Sequence, residues 1–191
     1  FSLHSSPRGF FWNQYERINI GVMKLMKIQT DYYGEVEYDQ EDLVTISGGF
    51  FGFSDLTYYL PICLSEDEGS LLLMQSTEQP DIAFVVINPA FLSPDYSPIL
   101  SQEELACLDV SDSGELSYYA LCVIRNNYLE NTVNMKCPLA INPKTRKGKQ
   151  VILENPDYGY RHKISSFPGM LEPPNTDDRS DGYADTAEKK E

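Results

Sequence analysis

The chain has 191 residues and a formal net charge of −14, with 41% hydrophobic and 23% charged residues. These proportions are typical of one folded domain with an ordinary core. The acidic excess repels phosphate backbones, which argues against direct nucleic-acid binding and favours partners that are basic where they make contact. No apolar run approaches the roughly 20 residues that cross a bilayer, and no secretory signal is recognisable, so the sequence predicts no membrane association.

The first residues differ from the rest of the chain. Residues 1–25 show no sustained period of two or of about 3.6 residues, and regular patterning begins only after NIGVMKLMKIQT. We therefore expect residues 1–25 to be an N-terminal extension outside the native domain, with the natural start at Met26 or Met23. The alternative is an ordinary N-terminal arm that packs through its aromatic residues.

Strand signals dominate the middle of the chain. Short segments rich in β-branched and aromatic residues alternate with clusters of Gly, Pro, Asn and Asp, which favour turns. This spacing predicts a mainly β fold, namely a small, mostly antiparallel, β-barrel-like domain over residues 26–164. The predicted strands are TDYYGEVEY (30–38), LVTISG (43–48), YYLPICL (58–64), SLLLMQS (70–76), IAFVVIN (82–88), LSYYALCVIR (116–125), NTVNMKCPLAIN (131–142) and KQVILEN (149–155).

Two short helical inserts are predicted between the strands. The stretch SQEELACL places Ser101 three residues before Glu104, which is a capping-box pattern. The stretch SDLTYYL offers Ser54 or Asp55 as a cap for about one turn. Neither insert is long enough to change the fold class.

Two apolar runs stop at the same tripeptide, Ile-Asn-Pro, at residues 87–89 and 141–143. Proline cannot donate to a strand ladder and biases the preceding residue away from helix. Because the flanking sequences share little else, we interpret the pair as one strand-ending device used twice, and not as an internal repeat.

The other end of the chain is polar. Residues 165–191 are rich in Pro, Gly, Asp, Glu and Ser, and they contain few aliphatic residues that could offset the entropy of ordering them. The sequence predicts a flexible acidic tail there.

Residues suited to catalysis or metal binding are sparse. His162 lies in DYGYRHKI and is interpreted as a solvated surface imidazole, and no serine has a nucleophile-elbow context. The acidic stretches SEDEG (65–69) and DVSDSGE (109–115) lack calcium-loop spacing, and SGGFFGF (47–53) fits no phosphate-binding fingerprint. The sequence therefore indicates neither a metal nor a cofactor. The four widely spaced cysteines are interpreted as reduced, partly buried thiols of a cytosolic protein.

Candidate partner-binding residues lie in three loops. Lys144, Arg146 and Lys147 form a basic run that is either a solvated hairpin tip, turned by Gly148, or a positive docking spot. Aromatic residues crowd two other loops, where each is either part of the core or an exposed anchor for a partner. These aromatic candidates are Phe50, Phe51, Phe53, Phe91 and Tyr96.

Three blocks carry a likeness to known proteins, namely MKIQTDYYGEVEYDQEDLVTISGGFFGFSDLTYYLPICL, LLLMQSTEQPDIAFVVINPAFLSPDY and NMKCPLAINPKTRKGKQVILENPDYGYRH. Taken in order, they resemble the FliW family of flagellar assembly factors. The resemblance runs from about Met26 to His162, and it rests on the order and spacing of the blocks because no single motif is diagnostic. One departure is GFFGF (49–53), which stands where the family usually has a Gly-Leu-Pro-Gly-Phe-like turn.

The resemblance implies a small β-barrel-like domain and a non-enzymatic bacterial protein of the cytoplasm. Proteins of this family bind newly made flagellin and, in exchange, bind and antagonise CsrA, the small RNA-binding regulator that represses flagellin translation. Such competition between two ligands for one protein would couple flagellin synthesis to export. Two other readings stay open at this point. One is a small β-barrel hydrolase or ligand-binding enzyme built around His162 or the acidic loops, and the other is an acidic interaction domain with different partners.

Overall fold

The computed structural model describes residues 25–31, 33–64 and 70–168. Within these ranges the chain forms ten strands and one short α-helix, α1 (Gln102–Cys107), with 3₁₀ turns in several connections. The strands are β1 (Met26–Thr30), β2 (Gly34–Tyr38), β3 (Val44–Ile46), β4 (Tyr58–Cys63), β5 (Leu71–Ser76), β6 (Ala83–Ile87), β7 (Ser117–Val123), β8 (Thr132–Ile141), β9 (Lys147–Gln150) and β10 (His162–Lys163).

Strands β3 to β9 close into a barrel. Each of the strands from β3 to β8 pairs antiparallel with the next strand in the chain, and β8 then pairs antiparallel with β9. The closure is made by β9 and β3, which are the one parallel pair among the described strands. Closure leaves no continuous open edge around the barrel, because every strand has a neighbour on both sides over part of its length.

The barrel interior follows from alternation along the strands. In β3, Val44 and Ile46 are fully buried while Thr45 is exposed, which is the period-two pattern of a strand with one face toward a core. The interior is filled by large aliphatic and aromatic side chains that form one buried cluster. These residues are Val44, Ile46, Phe50, Tyr59, Leu72, Met74, Val86, Tyr119, Leu139 and Ile141.

Two further layers cover the outside of the barrel. The β1–β2 hairpin packs Ile28 and Val36 against the outer face of β4 and β5, where Leu60 and Leu73 belong to the same buried cluster. On another side, Leu105 of α1 lies in a cluster with residues of β8 and of the chain that follows β9. Both attached elements exist because strands of the barrel also carry apolar residues on their outward face.

A bulge lets a proline sit inside the longest strand. The register between β7 and β8 shifts between Tyr119 and Leu121, opposite the part of β8 that contains Pro138. There the Asn134 Oδ1 accepts hydrogen bonds from the backbone N–H groups of Lys136 (3.1 Å) and Cys137 (2.9 Å). Because proline cannot donate to a ladder, such a bulge is the place in a sheet where it is tolerated.

The fold class predicted from the sequence is confirmed, including one short helical insert. Ser101 caps α1, and the reciprocal bonds with Glu104 complete the predicted capping box. Both Ile-Asn-Pro stretches end strands, since β6 stops at Ile87 and β8 at Ile141.

The prediction of a second helical insert, in SDLTYYL (54–60), was wrong. Residues 54–57 form a turn and an extended connection, and β4 begins at Tyr58. The backbone N–H groups of Thr57 and Tyr58 both donate to the Glu78 carboxylate, which holds this stretch extended. A carboxylate contributed from twenty residues further along the chain is a tertiary effect that the local pattern does not contain.

The first predicted strand, TDYYGEVEY (30–38), covers the turn and the second strand of a hairpin, whose first strand β1 the sequence did not predict. Thr30 ends β1 and Gly34 begins β2, with the Thr30 Oγ1 accepting from the Tyr33 N–H (2.9 Å) and donating to the Gly34 carbonyl oxygen (3.0 Å). Gly34 has a φ of 65°, which the reversal requires. The strand β10 had no counterpart among the sequence predictions.

The chain has local structure just past the predicted domain boundary at residue 164. Residues 164–166 form a 3₁₀ turn, and Phe167 packs against the cluster of Leu92, Ala120 and Val133. Residues 1–24 of the predicted N-terminal extension (1–25) and residues 169–191 of the predicted acidic tail (165–191) lie outside the described residues, as does the acidic stretch 65–69.

Candidate partner-binding surfaces

The aromatic loop, residues 48–53, is a tight reversal after β3. Gly48, Gly49 and Gly52 have positive φ values of 73°, 62° and 90°. Gly49 is also crowded, because a Cβ there would lie 2.7 Å from the Leu56 carbonyl oxygen. The loop is therefore built on backbone conformations and close approaches that side chains at these positions would prevent.

The three phenylalanines of the aromatic loop point to different environments. Phe50 is buried in the barrel interior (1% exposed) and makes an edge-to-face contact with Tyr59, with ring centroids 5.0 Å apart. The Phe51 side chain is 54% exposed and that of Phe53 is 36% exposed. Phe53 leans on Phe84 at 5.2 Å between centroids. Thus Phe50 is a core residue, and Phe51 and Phe53 form the exposed part of the loop.

Phe91 and Tyr96 also differ in their environment, since one side chain is exposed and the other is anchored to the barrel. Phe91 lies in the 3₁₀ turn Pro89–Phe91, which Asn88 caps by accepting from the Ala90 N–H (3.0 Å), and its side chain is 52% exposed. Tyr96 is half-buried and its hydroxyl donates to the Met135 carbonyl oxygen (2.9 Å). Burial, followed by the neighbouring Tyr158 hydroxyl, raises the pKa of Tyr96 far above its ordinary value. Phe91 is available at the surface, whereas Tyr96 mainly ties its loop to β8.

The basic run forms a turn organised by Asn142. The Asn142 Oδ1 accepts from the N–H groups of Lys144 (2.9 Å) and Thr145 (3.3 Å), and its Nδ2 donates to the Leu108 carbonyl oxygen (2.8 Å). The left-handed residue of this turn is Arg146, with φ of 57°.

Gly148 does not make this turn, contrary to the sequence prediction. It lies buried within β9, where a Cβ would meet Val44 Cγ1 at 3.3 Å. Its lack of a side chain serves the close parallel approach of β9 to β3.

Much of the positive charge of the basic run is paired within the chain. The Lys147 Nζ lies 2.5 Å from Asp109 Oδ2. Hydrogen bonds from Ser111, assisted by the charge of Lys144, lower the pKa of Glu115. The basic loop therefore faces the acidic loop 109–115. This contact joins residues that are distant in sequence, and it leaves a weaker positive spot than Lys144, Arg146 and Lys147 together would give.

The residues weighed for catalysis have local structural partners. The His162 Nε2 accepts from the Gly159 N–H (2.7 Å), so this half-buried imidazole orders a loop and is not merely solvated. Asp112 and Glu115 cap the 3₁₀ turn Ser113–Glu115. Among the described residues no group of three or more His, Cys, Asp or Glu side chains is placed to hold a metal ion. None of the four cysteines, all of which lie in the described residues, is in a disulfide bond.

The structure has an apolar groove that the sequence did not predict. It has a volume of about 550 Å³ and is lined by Ile99, Ile152, Leu153 and Tyr158, together with Glu104 and Glu154. The only sequence signal was the alternation in KQVILEN, in which Ile152 falls on the face opposite to Val151 and Leu153. The groove is not lined by His162 or by the acidic loop 109–115.

Fold and surface together define a small closed β-barrel whose candidate sites are exposed aromatic, apolar and charged surfaces of the kind that bind proteins. In the part of the chain that the structure describes, no helix is long and apolar enough to cross a membrane.

Comparisons with known proteins agree with this class and refine it. The family model described as FliW protein matches residues 27–164. The flagellar assembly factor FliW of Ruminiclostridium cellulolyticum is 32% identical over 139 residues, which cover 73% of this chain and 94% of that protein. The one of Syntrophomonas wolfei is 36% identical over 139 residues, covering 73% and 88%. A crystal structure of the flagellar assembly factor FliW superposes with a TM-score of 0.67 at 30% identity, covering 75% of this chain and 98% of that one.

The chain belongs to the FliW family. Its relatives named above are flagellar assembly factors.

Proposed function

We propose that this protein binds flagellin in the cytoplasm and, when flagellin is absent, binds and antagonises the translational regulator CsrA. Flagellin that accumulates before export would occupy the protein and release CsrA, which would then repress flagellin synthesis. Because one protein has two ligands that exclude each other, the free concentration of one sets the occupancy by the other. Membership of a family of flagellar assembly factors supports this role.

The observation that carries the proposal is the exposure of Phe51 and Phe53 on a loop held by three glycines with positive φ. Exposed aromatic side chains on a rigid support lose little conformational entropy on binding and are the commonest binding hot spots. We assign these two residues, with Phe91 as an additional anchor, to the partner surface.

The overall charge supports the CsrA part of the proposal. A regulator that binds RNA presents positive surface, and a protein with a net charge of −14 is attracted to it and disfavours RNA beside it. The affinity for CsrA is therefore expected to fall as salt rises, with a smaller change for flagellin. An affinity for CsrA that is equal at low and high salt would contradict this electrostatic account.

The decisive experiment titrates the full chain with flagellin and with CsrA, separately and together, by isothermal titration calorimetry. We expect each partner to bind alone and each to displace the other. Binding of neither partner would refute the proposed function. Simultaneous binding of both would refute the exchange and leave the two partnerships intact.

A matched pair of variants tests the aromatic surface. Phe51→Ala is expected to weaken binding of at least one partner by about tenfold or more, since an anchor side chain of this kind contributes over 1 kcal/mol. Leu129→Ala removes an exposed leucine of similar accessibility from a different loop and is expected to leave both affinities unchanged. Equal effects of the two substitutions would remove the aromatic loop from the interface.

A further inference from the structure

The chain that follows β9 continues along β8 as an extended segment. The Val151 N–H donates to the Pro138 carbonyl oxygen (3.0 Å) and the Leu153 N–H donates to that of Lys136 (2.9 Å). The side chains of Val151 and Leu153 are buried, whereas Ile152 is 56% exposed. Residues 151–154 thus behave as a strand that is attached to the barrel along one edge.

The other edge of this segment is open. Successive residues of an extended chain direct their N–H and C=O groups to opposite sides, so those of Ile152 and Glu154 point away from β8. Strand β3 covers this side of β9 only at Lys147 and Gly148. Within residues 25–31, 33–64 and 70–168, the backbone groups of Ile152 and Glu154 have no hydrogen-bond partner.

The open edge adjoins the apolar groove. Ile152 and Glu154 line that groove together with Ile99, whose side chain is 84% exposed. The aromatic loop lies at the start of the same edge, because the Phe51 N–H donates to the Gln150 Oε1 (2.8 Å). Unpaired strand groups and uncovered apolar side chains therefore occur side by side.

The charge around the open edge is negative. The Glu104 carboxylate is held at the groove by hydrogen bonds from the N–H and hydroxyl of Ser101, both 2.8 Å. Glu154 and Asp157 are exposed nearby. A nearby cation, Lys136, has its Nζ engaged with the Asn155 carbonyl oxygen (2.9 Å). A second copy of this acidic chain would bring carboxylates against carboxylates here, so the charge favours a basic occupant.

We propose that the open edge at Ile152 and Glu154 binds an extended segment of a partner protein as an added β-strand. Because Ile152 and Glu154 lie two residues apart on one face, the segment carries an apolar residue opposite Ile152 and a lysine or arginine two residues away, opposite Glu154. Its other apolar and basic residues cover Ile99 and face Glu104. Backbone hydrogen bonds supply affinity in this mode of recognition, and the alternate side chains supply specificity. The proposal is independent of the identity of the flagellar partners.

The test uses the full chain and a fluorescent synthetic peptide that repeats Val-Val-Lys-Lys, in which valine and lysine always lie two residues apart. We expect saturable binding by fluorescence anisotropy, with the Ile152 and Glu154 amide signals shifted in NMR spectra and the exchange of these amides with solvent slowed by about tenfold or more. The same peptide with every amide N-methylated cannot donate to the edge and is expected to bind at least about tenfold more weakly. A valine and glutamate peptide is expected not to bind.

Variants locate the site. Ile152→Pro removes an outward N–H that the fold does not use, and Ile99→Asp removes the apolar contact. Each is expected to weaken binding by about tenfold or more, whereas Ile124→Asp, at an exposed isoleucine outside the groove, leaves it unchanged. If thermal denaturation shows that Ile152→Pro does not fold, Ile99→Asp and Glu154→Lys replace it.

Several outcomes would overturn the proposal. Equal binding of the N-methylated peptide would refute strand addition, and amide shifts confined to other surfaces would refute the site. A dimer in light scattering that Ile152→Pro dissociates would show that a second copy occupies the edge. The titrations with flagellin and CsrA test a different proposal. If neither protein bound, the result of the peptide experiment would still decide whether the open edge adds a strand.

Discussion

The asparagines of the two Ile-Asn-Pro sites differ in burial and in the number of hydrogen bonds that their side chains make. Asn88 is half-buried and its side chain accepts one hydrogen bond, from the Ala90 N–H. Asn142 is 2% exposed and its side chain makes three bonds, one of which reaches the Leu108 carbonyl oxygen near the end of the helical insert. The asparagine at the second site therefore joins two parts of the chain.

This difference gives a prediction for a matched pair of substitutions. Asn142→Ala leaves the buried Leu108 carbonyl oxygen without this partner and also removes the acceptor of two turn N–H groups, so it is expected to lower the free energy of unfolding by about 2–4 kcal/mol. Asn88→Ala removes a cap and is expected to cost only about 0.5–1 kcal/mol. Urea denaturation of both variants measures the difference, and equal losses would contradict the connecting role of Asn142.

The cysteines are expected to differ sharply in reactivity. Burial raises the pKa of Cys122 to about 12 and also raises the pKa of Cys137, whereas Cys107 is exposed. A raised pKa lowers the thiolate fraction at a given pH, by about a thousandfold for Cys122 relative to an ordinary thiol. With N-ethylmaleimide at pH 8, Cys107 is expected to react first and Cys122 and Cys137 at least about a hundredfold more slowly. Mass spectrometry follows the sites, and in urea all four should react alike.

At the scale of elements, the stability cost of replacing a glycine in the aromatic loop depends on which glycine is replaced. Gly48 and Gly49 both have positive φ, but a Cβ at Gly48 meets nothing within 4 Å, whereas one at Gly49 runs into backbone carbonyl oxygens of Phe53 and Leu56.

Gly48→Ala is therefore expected to cost about 1 kcal/mol from backbone strain alone. Gly49→Ala should cost about 3 kcal/mol or more and move the loop. Chemical denaturation measures the energies, and the position of the loop is read from partner binding. If the two variants lost equal stability, the close approach at Gly49 would have no energetic role.

The parallel pairing of β3 with β9 is another property of the elements that only the closed barrel explains. Both strands are short, and every neighbouring pair from β3 to β8 joins strands that follow each other in the chain. The last pair joins elements about a hundred residues apart in sequence, and the buried Gly148 allows their close contact. Contacts at such separation are slow to form, so this seam is expected to close late in folding.

At the scale of the whole molecule, the tyrosines buried in the barrel predict alkaline instability. Burial, and secondarily Glu78, raises the pKa of Tyr59 to about 12, and burial raises that of Tyr119 to about 12. In the unfolded chain tyrosine ionises near pH 10. Between about pH 10 and 12 the unfolded state loses protons that the folded state keeps, so stability falls by up to about 1.4 kcal/mol per pH unit for each tyrosine.

Tyr59→Phe provides the matched control for this effect. The Tyr59 hydroxyl is buried without a hydrogen-bond partner among the described residues, so its removal is expected to leave stability at pH 7 equal or slightly higher. The fall in stability above pH 10 should become shallower, as measured by urea denaturation at a series of pH values. An unchanged alkaline slope would show that Tyr59 ionises freely in the folded protein.

The sequence by itself determined the features that depend on neighbouring residues. Alternation predicted most of the strands, the Ser101 and Glu104 spacing predicted the capped helix, and each Ile-Asn-Pro was correctly interpreted as a strand end. These succeed because strand alternation, capping and proline geometry act within a few residues. The ordered likeness of three blocks also identified the family, because it samples most of the domain.

Only the tertiary structure decided which side chains reach the surface and which segments meet. Phe50 and Phe51 are adjacent in a single loop, yet the first fills the barrel and the second faces solvent. The pairing of Lys147 with Asp109, the role of Gly148 and the open edge at Ile152 all arise where distant strands come together. Burial and charge pairing are sums over neighbours in space, and a pattern read along the chain samples neighbours in sequence alone.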